Sequence, residues 1–258
     1  MPVHAAHKPR GITPLELVNK LKSSNPALSN LPVAYAGRLD PMADGLMLLL
    51  SGEDTKKRSG FERLPKEYIF EAAFGFRTDT YDLLGIPERQ IPFELPDTGS
   101  IRAVVAGMLG TWNQPYPPYS SARVRGKPLF WWARAGRLAE ITVPEKAVTI
   151  ERLELGELKT VSSGVFLKFV EEAIQPVTGD FRQEVILTSW RELLTTAPEA
   201  IQTAGFTVSC TSGTYVRSLV ERMGRELGCG AVTTRITRTR IGSYTLEDAE
   251  EVIFTSTR

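Results

Sequence analysis

Two periods organise the apolar positions of this 258-residue chain. Leu15, Val18 and Leu21 recur at helical spacing. The residues ahead of them encode a start: Thr13 as N-cap, Pro14 at the first helical position and Glu16 to complete a capping box. The pattern predicts a helix over 11–24, then a Pro- and Asn-rich loop over 25–33. The unbroken apolar run Leu46 to Leu50 reads as a buried strand. Residues 67–76 alternate apolar with polar, which is the strand period. A polar loop, TDTYDLLG, spans 78–85. A short helix is predicted over 101–109, a Pro-rich loop over 112–119 and a second short helix over 129–135. Residues 147–158 and 165–170 read as strands, and Phe206, Val208 and Cys210 alternate in another that stops at Thr211-Ser212-Gly213. Val216, Leu219, Val220, Met223 and Leu227 then form the stripe of a helix that Gly228 ends. Strands and helices mix without regular alternation, so the fold class expected is α+β in one domain spanning 1–258. The polar stretch 171–205, with a short helical pattern from Trp190 to Leu194, reads as an insertion inside the sheet.

Composition narrows the function classes. Two cysteines, Cys210 and Cys229, argue for a reducing compartment and against a disulfide framework. The two histidines, His4 and His7, leave few ligands for zinc. The apolar runs are too short to span a bilayer, and the N-terminus has no apolar signal core, so a cytoplasmic, membrane-free, metal-free protein is expected. The net charge of +1 hides segregation. Residues 122–137 carry Arg123, Arg125, Lys127, Arg134 and Arg137 with no acid, interleaved with Phe130, Trp131 and Trp132. A second basic stretch runs from Cys210 to Arg240. Cations among aromatics suit unpaired nucleotides, and two basic stretches fit a body with one basic face. Adjacent tryptophans on a helix point apart, so at least one belongs to the core.

Candidate chemistry centres on GRLDPMADGLM, residues 37–47. Gly37, Pro41 and Gly45 stiffen the turn that carries Asp40. An acid held there, beside apolar chain, could be a catalyst; it could equally cap a turn before a buried strand. Arg217, in the first turn of the helix after Gly213-Thr214-Tyr215, is a natural partner that would keep the carboxylate ionised. A surface cation unrelated to Asp40 is the alternative. The chain has no P-loop, dinucleotide fingerprint, metal-ligand cluster or Ser/His/Asp set.

Five segments in order resemble the TruB family of pseudouridine synthases: HKPRGIT; GRLDPMADGLM; KEY (66–68) with TDTYD (78–82); Tyr119-Ser120, Gly126-Lys127 and Ala133-Arg134; and CTSGTYVRSL with LGCGA. The resemblance implies a mixed, mostly antiparallel sheet flanked by helices, with an RNA-binding cleft. It implies an isomerase that converts uridine to pseudouridine, most often at uridine 55 in the T-loop of tRNA, after flipping the base into a pocket and without a cofactor. By the same resemblance Asp40 is the nucleophile, Arg217 its partner and Tyr68 the aromatic over the uracil. Tyr35, Lys66, Tyr215 and Ile236 would contact the substrate, and Arg123, Arg125, Lys127 and Arg134 the RNA. A monomer acting on the tRNA T-arm, with no obligate protein partner, is expected. Departures bear on the substrate. Tyr35 stands where the family usually has His, and GRLD is the wording of relatives that modify ribosomal RNA. Ser212 replaces a usual Lys, and the chain stops where many relatives continue into a small C-terminal PUA-like domain. Ribosomal or another structured RNA is therefore an alternative target, and a catalytically idle tRNA-folding chaperone an alternative function. The 171–205 stretch is expected to face RNA in place of the missing domain.

Overall fold

A computed structural model describes residues 3–90, 94–196 and 200–249. The chain begins with β1 (Val3–Lys8) and α1 (Pro14–Ser24), followed by β2 (Val33–Ala36) and β3 (Ala43–Ser51). Helix α1 starts as its sequence predicts: Thr13 Oγ1 accepts from Glu16 N at 3.3 Å, and the Glu16 carboxylate accepts from Thr13 N at 2.6 Å. Its buried face is Leu17, Val18 and Leu21, whereas Leu15 is exposed. Val18 and Leu21 of the predicted stripe are buried, and Leu17 takes the place expected of Leu15.

After the short α2 (Arg58–Glu62) come β4 (Lys66–Phe74), β5 (Phe76–Thr78) and β6 (Pro87–Arg89), then α3 (Thr98–Gly107) and β7 (Gly110–Pro115). Gly75, at φ +94°, separates β4 from β5. A two-residue hairpin, β8 (Arg123–Val124) and β9 (Lys127–Pro128), leads into α4 (Leu129–Arg134). Its turn residues Arg125 and Gly126 both have positive φ, 47° and 77°, the signature of the type I′ turn that matches strand twist. The remaining elements are β10 (Glu145–Ser162), α5 (Ser163–Ile174), α6 (Gln183–Thr195), β11 (Ala200–Cys210), α7 (Val216–Glu226), β12 (Ala231–Ile241) and β13 (Tyr244–Thr245).

Nine strands form one sheet, ordered β1-β3-β12-β4-β11-β10-β7, with β2 beside β3 and β13 beside β12. Its pairs are antiparallel except β3 with β12. The main core fills the face covered by α1, α3 and α7 and takes in Met47, Tyr68, Phe70, Ile150, Phe206, Val208, Leu219 and Ile236. A second core lies under α5 and α6 around Phe166, Ile186 and Trp190.

Three readings of the sequence need correction. Residues 112–115, read as the start of a Pro-rich loop, are the end of β7 and pair with β10. Residues 165–170 are not a strand but the middle of α5. Ser162 Oγ caps its start by accepting from Val165 N at 3.3 Å, and Phe166, Val170, Ala173 and Ile174 bury one helical face. The run VFLKFV is apolar almost throughout, so it shows neither period. The excursion between β10 and β11 also differs from 171–205: it opens at Ser163, and residues 200–205 are already strand, paired with both β10 and β4.

Candidate active site

Asp40 sits in the turn between β2 and β3, with Gly37 at φ +86° ahead of it and Gly45 at φ +109° inside β3. Gly45 is required for contact as well as conformation. It pairs with Arg238 of β12, and a Cβ there would lie 2.4 Å from the Arg238 carbonyl oxygen. The turn closes by a bond from Ala43 N to Asp40 O at 3.0 Å, and Gly11 N donates to Pro41 O at 2.8 Å. The Asp40 side chain remains 36% exposed, half in and half out of the fold.

Arg217 reaches it from the first turn of α7. Its side chain is only 3% exposed and every arm of the fork is engaged. Nε donates to Asp40 Oδ2 at 2.7 Å, Nη1 to Thr80 O at 2.6 Å and Nη2 to Tyr119 O at 3.3 Å. A second carboxylate, Asp82 Oδ2, lies 3.7 Å from the same Nε. Burial works against the Arg217 charge, but the Asp40 and Asp82 carboxylates more than offset it and hold its pKa above the ordinary value. For Asp82, burial is the larger effect and raises the carboxyl to about 6. Arg217 pulls it down, as do hydrogen bonds from Thr80 Oγ1 at 2.7 Å and Leu84 N at 3.0 Å.

Tyr68 lies on β4 directly opposite Arg238 of β12 and Val208 of β11. Residues facing each other on neighbouring strands share a side of the sheet, so Tyr68 and Arg238, with Phe70 and Ile236 two positions on, line the same face. Tyr68 is buried, which raises its pKa, and the nearby Arg238 guanidinium opposes the shift. Arg238 is itself buried. It donates from Nε to Leu46 O at 2.7 Å and from Nη1 to Arg38 O at 3.1 Å, tying β12 to both ends of the Asp40 turn.

Tyr215, immediately before α7, has its peptide clamped by the Gln114 amide, which accepts from Tyr215 N at 2.7 Å and donates to Tyr215 O at 3.1 Å. Burial, followed by the Asp40 charge, pushes its phenol up to about 12. Asp40, Tyr68, Tyr215, Arg217 and Ile236 thus gather where the β2–β3 turn, β4, β12 and the start of α7 converge.

Lys66 and Tyr35 are placed differently. Lys66 is buried and donates to Glu62 O at 2.5 Å and Leu64 O at 2.6 Å, so its ammonium secures the chain entering β4. Burial lowers its pKa to about 8. Tyr35 is half-buried on β2, with the guanidinium of Arg58 5.4 Å and that of Arg38 6.0 Å from its ring centre.

The two basic stretches part company. Arg123, Arg125, Lys127 and Arg134 are exposed, as expected of residues meeting a polyanion. Arg134 is engaged, donating to Asp180 O at 2.8 Å. Trp132 is buried, with its Nε1 donating to Val124 O at 3.2 Å, and Trp131 is partly exposed beneath Lys127. Most of the second stretch is not free to form a basic face, although Arg235 is exposed. Arg217 and Arg238 are buried, while Arg222, Arg225 and Arg240 pair with Glu226, Glu221 and Glu67. Cations i, i+4 from acids on a helix largely neutralise one another.

Asp82, Arg238 and Lys8 were not singled out from sequence. Lys8 is fully buried and donates to Pro9 O and Ile12 O, both at 2.9 Å. Burial lowers its pKa to about 7 against the pull of Asp40 and Asp44. Among the described residues, no group of three or more His, Cys, Asp or Glu side chains is placed to hold a metal ion, and no helix is long and apolar enough to cross a membrane.

Residues 27–172 match the model of the TruB family pseudouridylate synthase N-terminal domain. A tRNA pseudouridine synthase B of Nitratidesulfovibrio vulgaris is 32% identical over 248 residues, 95% of this chain and 65% of that protein. Proteins of the same name from Deinococcus radiodurans and Desulfotalea psychrophila are 32% and 34% identical, with 76% and 82% of their lengths covered. The chain therefore spans slightly less than two thirds of the first relative and about four fifths of the third. A solved H/ACA RNP bound to a substrate RNA containing 2′-deoxyuridine superposes with a TM-score of 0.56 at 18% identity, over 97% of this chain and 50% of that one. A Cbf5-Nop10-Gar1 complex gives 0.57 at 18% identity, over 96% and 51%. The structural likeness supports the α+β fold. The family match over more than half of the chain and the one-third identity to full-length relatives make this chain a member of the TruB family of pseudouridylate synthases.

Proposed function

We propose that the chain is an RNA pseudouridine synthase that isomerises a uridine in the T-arm of tRNA, at position 55. The observation carrying this reading is the Asp40–Arg217 pair: a carboxylate one-third exposed, held at 2.7 Å by a buried guanidinium whose other nitrogens are already committed. Such a carboxylate is paired with a fixed cation, oriented and still open on one side, as a nucleophile must be. The isomerisation breaks the bond from N1 of uracil to C1′ of ribose, turns the base over and joins C5 to C1′. The C5 proton is lost and N1 gains one. Asp40 adds to the sugar or the base and leaves at a later step. Tyr68 stacks on the flipped uracil, with its hydroxyl available to move a proton. A phenol whose burial raises its pKa stays protonated and neutral, which suits a stacking platform. Tyr215 and Ile236 line the pocket, and Arg123, Arg125 and Lys127 meet phosphates. The names of the relatives favour tRNA as substrate.

The test is incubation of the protein with unmodified tRNA transcript, followed by mapping of pseudouridine. Conversion at the T-loop with the wild type and none with Asp40→Asn is expected. Conversion that persists in Asp40→Asn would overturn the mechanism, and modification of ribosomal RNA alone would move the substrate.

A further inference from the structure

The turn between α5 and α6 touches both halves of the candidate site from behind. On one side Thr178 N donates to Gly11 O at 2.9 Å, and Gly11 N donates in turn to Pro41 O, next to Asp40. Gly11 leaves no room for change there, since a Cβ would lie 2.4 Å from Pro176 O. Thr178 Oγ1 also donates to Glu16 at 2.6 Å.

On the other side stands Arg182. Its Nη1 donates to Asp79 Oδ2 at 2.8 Å, and its guanidinium lies 4.7 Å from the centre of the Tyr119 ring. Asp79 takes a further bond from Ile86 N at 2.8 Å on its other oxygen. Burial and then Asp79, which the Tyr119 hydroxyl contacts, push that phenol up to about 12. Both residues gripped by Arg182 bear on Arg217. Thr80, next to Asp79, supplies the carbonyl at 2.6 Å, and Tyr119 supplies its own at 3.3 Å.

Two observations set Arg182 apart from an ordinary surface cation. Its backbone is left-handed, φ +66° and ψ 26°, a conformation that glycine adopts freely and arginine only at a cost. The hairpin is also a poor surface for phosphates: residues 163–196 hold five acids against three cations. Those three, Lys168, Arg182 and Arg191, are paired with Glu172, Asp79 and Glu171. That charge pattern argues against an RNA-facing element.

The geometry points to Arg182 as a positioning residue for the Asp40–Arg217 pair, acting through Asp79 and Tyr119 and never touching the substrate. The inference rests on the reading of the site given above. The informative variant is Arg182→Gly in the full chain, because glycine suits the backbone and removes only the side chain. Thermal unfolding and tRNA affinity are expected to stay near wild type, while the single-turnover rate falls by about tenfold, the scale on which small misplacements act. Asp79→Asn, which keeps the shape of the loop and loses the charge, is expected to lower the rate in the same way if the glycine variant does not fold. A second readout is independent of turnover: the Nε–H NMR resonance of Arg217, assigned with Arg217→Lys, is expected to shift or broaden in Arg182→Gly. A wild-type rate in these variants, a loss confined to affinity, or an unmoved Arg217 resonance would each overturn the proposal. A wild-type protein that converts no uridine would refute the activity, and the resonance would still judge the role of Arg182.

Discussion

Asp40 and Asp82 face a single nitrogen: Nε of Arg217 lies 2.7 Å from one carboxylate and 3.7 Å from the other. The nearer is partly exposed and the farther is buried, and burial raises the farther carboxyl to about 6. An ionised Asp82 is a second anion beside the guanidinium and helps hold it where Asp40 needs it; a protonated Asp82 loses that hold. The single-turnover rate is expected to rise with pH through about 6 and to lose that limb in Asp82→Asn, whose rate at neutral pH should be about tenfold below wild type, the equivalent of ~1.4 kcal/mol of lost ion-pair interaction. Stability moves the other way. A carboxyl with a folded pKa above its unfolded value contributes stability below the unfolded pKa that is lost as pH rises through about 6. Acidification should therefore reduce the rate without Asp82 weakening the fold, and paired rate and unfolding measurements between pH 5 and 7 check both.

Arg217→Lys keeps the charge and discards the fork. Three nitrogens of Arg217 serve Asp40, Thr80 and Tyr119, and one ammonium cannot span acceptors arranged for a planar group. The expected result is a rate loss of about 100-fold or more with RNA affinity nearly unchanged. Filter binding beside single-turnover kinetics separates the two; an equal loss in affinity would make Arg217 an RNA contact instead.

How far these relationships could be read in advance depends on how local each one is. The α1 cap was legible because Thr13, Pro14 and Glu16 are neighbours whose roles are fixed by spacing. The Asp40 turn was legible as stiff, though not as catalytic, until the other four segments aligned with it. Helix α5 was not, since a nearly continuous apolar run carries no period. Asp82 looked like one of several polar loop residues. Its burial comes from Arg217, 135 positions later in the chain, and from the packing of Leu83 and Leu84 under α6. Arg238 lies in a strand whose alternation of Thr and Arg suggests solvent. Only the parallel pairing of β12 with β3 puts it inside, against Gly45.

That pairing yields a stability prediction. Gly45 has φ +109°, and a methyl group there would meet Arg238 at 2.4 Å from its carbonyl oxygen and 2.6 Å from its nitrogen. Backbone atoms cannot step aside as a side-chain tip does, so strain and collision add. Gly45→Ala is expected to cost about 3 kcal/mol or more, read as a lower denaturant midpoint, and to reduce the rate through the Asp40 turn. A variant as stable as wild type would mean that β3 and β12 are farther apart than 2.4 Å implies.

The basic arm offers a cleaner experiment on RNA contact. Arg125 occupies the first turn position of the β8–β9 hairpin at φ +47°, followed by Gly126 at φ +77°. Asparagine before glycine is the preferred pair for this turn, so Arg125→Asn removes the charge and improves the backbone fit. The hairpin should persist, with Arg123 Nη1 still donating to Gly126 O as it does at 2.9 Å. If Arg125 meets a phosphate, affinity at low salt falls and the slope of log affinity against log salt shrinks by about 0.7 to 0.9, one released counterion. The rate at saturating enzyme should not change, because Arg125 is exposed and touches no part of the Asp40–Arg217 pair. Arg134 gives the contrast. Its guanidinium already donates to Asp180 O, so Arg134→Gln should change the salt slope less than Arg125→Asn. Equal slopes for wild type and Arg125→Asn would remove this hairpin from the RNA interface.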